Sequence, residues 1–406
     1  MNIIFVEPSF PYNQREFVRA LHAAGANIIG IGERPAAHLG NELKTWLSDY
    51  VQVRSVVDEA SMLKAVKSVQ SRVWVDRLEA TVEAHIMAAA GVREAAGIPG
   101  TSVETAFLCR DKPAMKEVLR RAGIPCAQST RAKTPQDARD FAATVGYPVI
   151  IKPPDGAGAS ATYRVGDDNR LEQVILESGL AEGRAVAVEE FIEGHEGYLD
   201  TLAINGQVGH EFITHYYPNV LTAMRERWIS PQMITTNRIE ATGYQEVREM
   251  AREVIRVLDI GTSATHMEWF AGPRGLKFSE IGCRPPGVGQ WDVYNTANEF
   301  DLYFEWAHAL VHGNTHTPPS RRYAAGMIAL RPNRDGRISG YTGVEEIQEK
   351  YGDCIMAAHL PDVGTPTQPV EAGYMANAWL RLRHRDYDTL RAILNDVGET
   401  ISVYAD

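Results

Sequence analysis

The stretch HMEWFAGPRGLKFSEIGCRPPG, residues 266–287, holds two apolar-rich runs on either side of a Gly-Pro-Arg-Gly connection. Each run carries one acid, Glu268 and Glu280. A hairpin centred on Arg274 sets position 268 opposite position 280, and the two-residue period of a strand turns both side chains to one face. Carboxylates placed directly opposite each other repel unless a cation lies between them. Oxygen ligands without His or Cys suit magnesium, which completes its shell with water and phosphate oxygens. The flanking residues Met267, Trp269, Phe270, Phe278 and Ile281 are apolar, as a buried hairpin requires; a solvated hairpin with two exposed acids is the other reading of the pair.

Upstream, VIIKPPDGAGASATYRV, residues 149–165, is an apolar run that ends in Lys152 and opens into a loop of small residues. Backbone N–H groups of such a loop can converge on a phosphate, which small side chains allow to approach. A lysine beside it adds a compact positive charge. The stretch therefore reads either as a flap over a nucleotide triphosphate or as a flexible hairpin loop. No Gly-Lys-Ser/Thr follows the glycines, so it is not a P-loop.

Further out, residues 2–6 (NIIFV), 14–24 and 27–31 (NIIGI) give strand, amphipathic helix ended by Gly25, and strand, the start of an open parallel sheet. The pattern continues with a strand at 50–53, a helix at 59–68, a strand at 72–75 and a helix from Glu79 to Ala96. The first β-to-α turn, EPSFPYNQ, has no glycine for a pyrophosphate to approach, which excludes a dinucleotide-binding site there. Asp111 caps a helix that closes at Gly123, and Pro135 starts another. AVAVEEFIEG (185–194) is a strand, 199–213 a hairpin around Asn205-Gly206, and 244–258 an amphipathic helix. A proline-bearing linker near 313 leads to strands near 324–330 and 376–384.

The 406 residues, 44% hydrophobic and 23% charged, fit an ordinary globular protein of several domains. A net charge of -11 argues against nucleic acid as a partner. No apolar stretch is long enough to span a membrane. Cys109, Cys126, Cys283 and Cys354 show no metal spacing and read as free thiols in a reducing compartment. The N-terminal apolar run lacks a basic lead-in, so the expected location is cytoplasmic.

In order and spacing, RDKPAMK, YPVIIKPPDGAGAS, VEEFIEGHE, and HMEWF followed by EIGCRPPG resemble the ATP-grasp superfamily over roughly residues 109–312, in particular its carboxylate–amine ligases, including L-amino-acid ligases. The resemblance implies an α/β and α+β fold. It consists of an N-terminal βαβ (pre-ATP-grasp) domain at 1–108, a two-lobed ATP-grasp domain at 109–312 with its smaller lobe at about 120–192, and a C-terminal α+β region at 313–406. It implies ATP as cosubstrate and Mg²⁺, with Mn²⁺ as the alternative ion. Lys112 and Lys152 match the phosphate-holding lysines, and 155–160, with Gly156, Gly158, Ala159 and Ser160, the flap over the phosphates. Glu189 matches the acid that receives the adenine amino group, Glu190 and Ile192 the backbone at the adenine edge, and Glu196 the acid on the ribose hydroxyls. Glu268 and Glu280 match the metal ligands. Arg284 matches the arginine that steadies the transferred phosphoryl group or the substrate carboxylate. One position departs from the pattern: Gly282 stands where the family often has a metal-binding Asn.

The implied activity is an ATP-dependent carboxylate–amine ligation through an acyl phosphate, with release of ADP. The partners would be a small carboxylate and an amine, amino acids among them, and a homodimer is admitted. An ATP-dependent carboxylase, another acyl-phosphate user and a non-catalytic nucleotide-binding regulator are the alternatives. Candidate substrate walls are Glu79, the stretch 215–228 with His215, Tyr216, Arg225 and Arg227, and the aromatic residues Trp291 and Tyr294. Solvated loop charges would equally account for the two arginines, and a packed core for His215 and Tyr216. His308, His312 and His316 straddle a helix end at Gly313 and make an improbable metal trio.

Overall fold

The computed structural model describes residues 1–154 and 161–406. Its N-terminal part is a four-stranded parallel sheet of β1 (Asn2–Val6), β2 (Asn27–Gly32), β3 (Asp49–Gln52) and β4 (Arg77–Glu79), in the order β3-β2-β1-β4. β1 and β2 are nearly continuous apolar runs because helices cover both faces of a parallel sheet. The helix Gln14–Ala23 buries Phe17, Val18 and Leu21. The expected strand at 72–75 is instead the approach to β4. Val75 is buried and Trp74 exposed, and the ladder with β1 begins only at Arg77, opposite Ile3. Glu79 accordingly ends a strand and does not start a helix. The following helix spans Ile86–Ala96, behind a 3₁₀ turn at Glu83–His85, and Gly97 closes it in the left-handed conformation.

A second sheet, antiparallel, contains β5 (Ser129–Ala132), β6 (Val149–Lys152), β7 (Tyr163–Val165) and β8 (Val186–Glu190) in the order β5-β8-β6-β7. The helix before it, Lys112–Arg121, is capped by the Asp111 carboxylate, which accepts the Ala114 N–H. Ala122 is its last capping residue, and Gly123 follows at φ +84°. The helix Pro135–Val145 opens with a reciprocal Thr134–Asp137 capping box.

The largest sheet has eight strands. They are β9 (His195–Ile204), β10 (Gln207–Tyr217), β11 (Gln232–Thr235), β12 (Ser263–Gly272), β13 (Gly275–Gly282), β14 (Ala324–Leu330), β16 (Ile355–His359) and β17 (Ala378–His384), ordered β13-β12-β9-β10-β11-β14-β17-β16. β15 (Ile338–Thr342) and β18 (Ser402–Ala405) pair separately. Asn205 and Gly206 turn β9 into β10 with φ values of +50° and +80°, as a two-residue hairpin requires. An aromatic cluster joins the first sheet to this one: Phe17 lies 5.1 Å from Trp291 and 5.0 Å from Tyr303 between ring centres.

Candidate active site

Glu268 and Glu280 are direct cross-strand partners on β12 and β13, by a route the sequence did not show. The turn is tighter than a connection centred on Arg274, because Gly272 pairs with Gly275 around Pro273 and Arg274 alone. A bulge beside Glu268 then shifts the ladder by one residue and brings position 280 opposite 268. The same face continues across the sheet. Glu268 is opposite Tyr198 on β9, His266 is opposite both Asp200 and Gly282, and Tyr198 is opposite Thr214 on β10.

This face forms the floor of a cavity of about 790 Å³ whose other wall comes from the β5–β8 sheet and the helix Lys112–Arg121. The lining includes Lys112, Lys152, Glu189, Glu190, Ile192, Glu196, Glu268, Glu280 and Arg284. Lys112 and Glu280, far apart in sequence, thus meet in one space. Gly156, Gly158, Ala159 and Ser160 lie outside the described residues.

The lysines and acids interlock. Lys152 Nζ is 2.8 Å from Glu189 Oε2 and 3.7 Å from Glu280 Oε2, and Lys112 Nζ is 3.3 Å from the same Glu280 oxygen. Lys116, one helical turn beyond Lys112, reaches Glu189 Oε1 at 2.7 Å and is almost wholly buried. Burial alone would raise the Glu189 carboxyl, but Lys116 and Lys152 outweigh it and hold it at about 2. Burial works against the charge of Lys152 as well, and Glu189 and Glu280 raise its pKa above the ordinary lysine value. Glu280 is likewise pulled down by Lys112 and Lys152 against burial. An ionised acid with cationic neighbours is a fit ligand for a divalent ion. Two carboxylates with no third His, Cys, Asp or Glu in metal-binding array among the described residues suit an ion that completes its shell with phosphate and water. A Cβ at Gly282 would meet nothing nearer than 3.7 Å, so crowding does not impose the glycine.

Arg284 is aimed by Glu83, whose Oε2 accepts from Nε at 2.7 Å. The 3₁₀ turn that follows β4 therefore contributes Glu83 to the site. Glu79, the expected wall, is held against Arg77 on β4 and does not line the cavity. His215 also belongs elsewhere. It sits between His195 Nε2 at 2.9 Å and Tyr244 Oη at 2.8 Å, and burial pushes its pKa down to about 3. Strand alternation explains this, because Tyr216, the next residue on β10, is the one that lines the cavity. Arg225 donates to the carbonyl of Thr162, a lining residue, and Arg227 to Asp335, and neither arginine itself lines the cavity. Trp291 and Tyr294 are buried in the core.

Two nucleotide-side expectations change in detail. The Glu189 carboxylate is directed at two lysines, and an adenine amino group would have to displace one of them. The Glu190 N–H is bonded to the Gln128 carbonyl, and its carboxylate pairs with Arg274 at 2.6 Å. Glu196 Oε2 accepts the Val220 N–H at 2.6 Å. Burial, with Glu268 nearby, pushes its carboxyl up to about 8.

Several lining residues had no place in the sequence reading. Lys116 was legible as the i+4 partner of Lys112. His266 was not: its Nδ1 is 2.7 Å from Asp200 Oδ1, and Tyr294 Oη donates to the other oxygen of the same acid. Burial disfavours the imidazolium, but Asp200 raises the pKa to about 9. Tyr198 and Tyr374 also line the cavity.

Residues 117–300 match the ATP-grasp domain. The chain is 26% identical over 308 residues to an L-arginine-specific L-amino acid ligase from Bacillus subtilis, covering 73% of each chain. It is 28% identical over 212 residues to the carbamoyl phosphate synthase large chain of Thermomicrobium roseum, covering 50% of this chain and 19% of that one. Among solved structures, an L-amino acid ligase from Bacillus licheniformis superposes with a TM-score of 0.75 at 16% identity, covering 100% of this chain and 98% of that one. N5-carboxyaminoimidazole ribonucleotide synthetase from Thermotoga maritima superposes with a TM-score of 0.68 at 18% identity, covering 100% and 99%. At these identities the two structures establish a shared fold.

Proposed function

We propose, from the match of residues 117–300 to the ATP-grasp domain, that the chain is an ADP-forming ligase joining a carboxylate to an amine, with amino acids as substrates. The observation that carries the reading is the facing pair Glu268 and Glu280, set in one cavity with Lys112, Lys152 and Arg284.

A carboxylate is a poor acylating agent because oxide is a poor leaving group. In the proposed reaction a carboxylate oxygen attacks the γ-phosphorus of ATP, the bond to the β-phosphate oxygen breaks, and ADP leaves. The amine then attacks the acyl carbon of the acyl phosphate, and phosphate departs with the former carboxylate oxygen. Such transfers need positioning and charge neutralisation more than a nucleophilic side chain. Lys112 and Lys152 meet the phosphate charge, and Lys116 keeps Glu189 in place as Lys152 turns to the nucleotide. Arg284, oriented by Glu83, offers a planar fork to the carboxylate or the phosphoryl group. Glu268 and Glu280 would hold magnesium, which when bound neutralises the phosphate oxygens. Burial of Lys116 and Glu189 keeps water away from the base of the cavity.

The test is a screen of amino-acid pairs with ATP and Mg²⁺ for phosphate release, with ADP and AMP distinguished and the organic product weighed by mass spectrometry. Amine-dependent ADP formation with an amide product is the expected result. Bicarbonate-dependent turnover would instead mark a carboxylase, and absence of turnover with retained ATP binding would mark a regulator.

A further inference from the structure

Part of the cavity lining is apolar and aromatic. That wall is built from Tyr198 on β9, Tyr216 on β10, Met233 on β11, and Met224, Val288 and Tyr374. The ring centres of Tyr198 and Tyr216 are 4.9 Å apart and those of Tyr216 and Tyr374 are 6.3 Å apart, so the three phenols form a continuous aromatic surface. All three are at most 7% exposed and belong to one apolar cluster with Met233. The Tyr374 hydroxyl is buried without a hydrogen-bond partner, a costly state that a ligand can relieve.

We propose that this wall is a side-chain subsite for a large apolar or ring-bearing amino acid, with Tyr198, Tyr216 and Tyr374 as its specificity-determining residues; the inference rests on the reading of the cavity as an amino-acid ligase site. Aromatic rings gain most from offset or edge contact with other rings. Methionines fill the remaining irregular space against a bulky group. A guanidinium finds a poorer site. The acids beside these tyrosines are Glu268, which is opposite Tyr198 and is assigned to magnesium, and Glu196, which is already bonded to the Val220 N–H. The other lining acid on this side, Glu371, is exposed. A glycine or alanine substrate would leave the aromatic surface uncovered. Cβ atoms at Gly287 and Gly373 would meet nothing within 4 Å, so the rim has room for a side chain to enter.

The test uses the whole chain with Mg²⁺ and a non-hydrolysable ATP analogue. Calorimetry compares L-phenylalanine, L-methionine, glycine and L-arginine, and the same amino acids are assayed in parallel for amide formation with ATP. The expected result is that phenylalanine and methionine bind at least about tenfold more tightly than glycine or arginine, the scale on which apolar pockets discriminate. Tyr216→Leu should erase most of the preference for phenylalanine. Tyr374→Phe, which keeps the ring, should keep the preference for phenylalanine. Glycine or arginine binding as tightly as phenylalanine would overturn the proposal, as would an unchanged preference in a folded Tyr216→Leu variant. The parent's own selectivity decides the matter if that variant does not fold. Tight phenylalanine binding without any amide product would leave the subsite standing and overturn the ligase reading. Amide formation confined to glycine or arginine would do the reverse.

Discussion

Replacing Lys152 by methionine keeps the reach of the side chain and removes its charge. Lys152 bridges both acids of the cavity, at 2.8 Å from Glu189 and 3.7 Å from Glu280. At an effective dielectric constant of about 20, each contact is worth about 4–6 kcal/mol of gross attraction, and the cost of taking the charges out of water offsets most of it. In the variant neither acid is abandoned, since Glu189 keeps Lys116 at 2.7 Å and Glu280 keeps Lys112 at 3.3 Å. The loss of stability should therefore be about 1–2 kcal/mol, below the roughly 3–5 kcal/mol that follows when a buried charge loses its partner. ATP has no such substitute. A hydrogen bond to a charged group contributes about 1.5–3 kcal/mol, so the Kd for an ATP analogue with Mg²⁺ should rise about 10- to 150-fold. Isothermal titration gives the affinity and urea denaturation the stability. A folded variant whose Kd lies within about threefold of the parent's would show, on the same arithmetic, that the phosphates are not held at Lys152.

Four further outcomes follow from the same geometry. Glu280→Gln keeps the shape of the side chain and loses the charge that two lysines keep ionised; turnover should collapse at limiting Mg²⁺, and a near-parental rate there would remove Glu280 from the metal site. Glu196 keeps, up to about pH 8, a proton that the unfolded chain releases in the ordinary carboxylate range, so in metal-free protein it makes stability fall as pH rises across that interval. Glu196→Gln should therefore be more stable relative to the parent at pH 8 than at pH 5, and a parent–variant difference in urea midpoint that is equal at both would contradict the assignment. Gly197→Ala places a Cβ against the Trp269 ring and 2.8 Å from the Thr214 carbonyl; overpacking of this kind costs about 1–3 kcal/mol, and an unchanged thermal midpoint would show that the strand adapts. Arg225→Ala should leave ATP and amino-acid affinity within about twofold, because Arg225 itself does not line the cavity and only touches it through the Thr162 carbonyl; a larger loss would return it to the substrate wall.

The parts of the fold legible in the sequence are those set by local pattern: the apolar runs of β1 and β2, the Asn205-Gly206 turn, the cap at Asp111 and the helix start at Pro135. The expected strand at 72–75 failed because an apolar triplet after a helix reads the same whether it joins a ladder or merely approaches one. The Glu268–Glu280 pairing was reached from sequence through two compensating features, a tighter turn and a bulge, neither of which leaves a local signature. On β10 the choice between His215 and Tyr216 turned on a single residue of strand phase, which only the whole sheet fixes. Lys116 could be found by helical spacing. Glu83 with Arg284, 201 positions apart, and Asp200 with His266, 66 apart, could not, because pairings of that range depend on topology.

The measurement that bears most directly on the proposed chemistry uses an amino acid labelled with ¹⁸O in its carboxylate, incubated with ATP, Mg²⁺ and an acceptor amine. If a carboxylate oxygen attacks the γ-phosphorus, each amide formed is accompanied by ADP and by one phosphate carrying one labelled oxygen. Formation of AMP and pyrophosphate, or of ADP with unlabelled phosphate alongside the amide, would contradict the account.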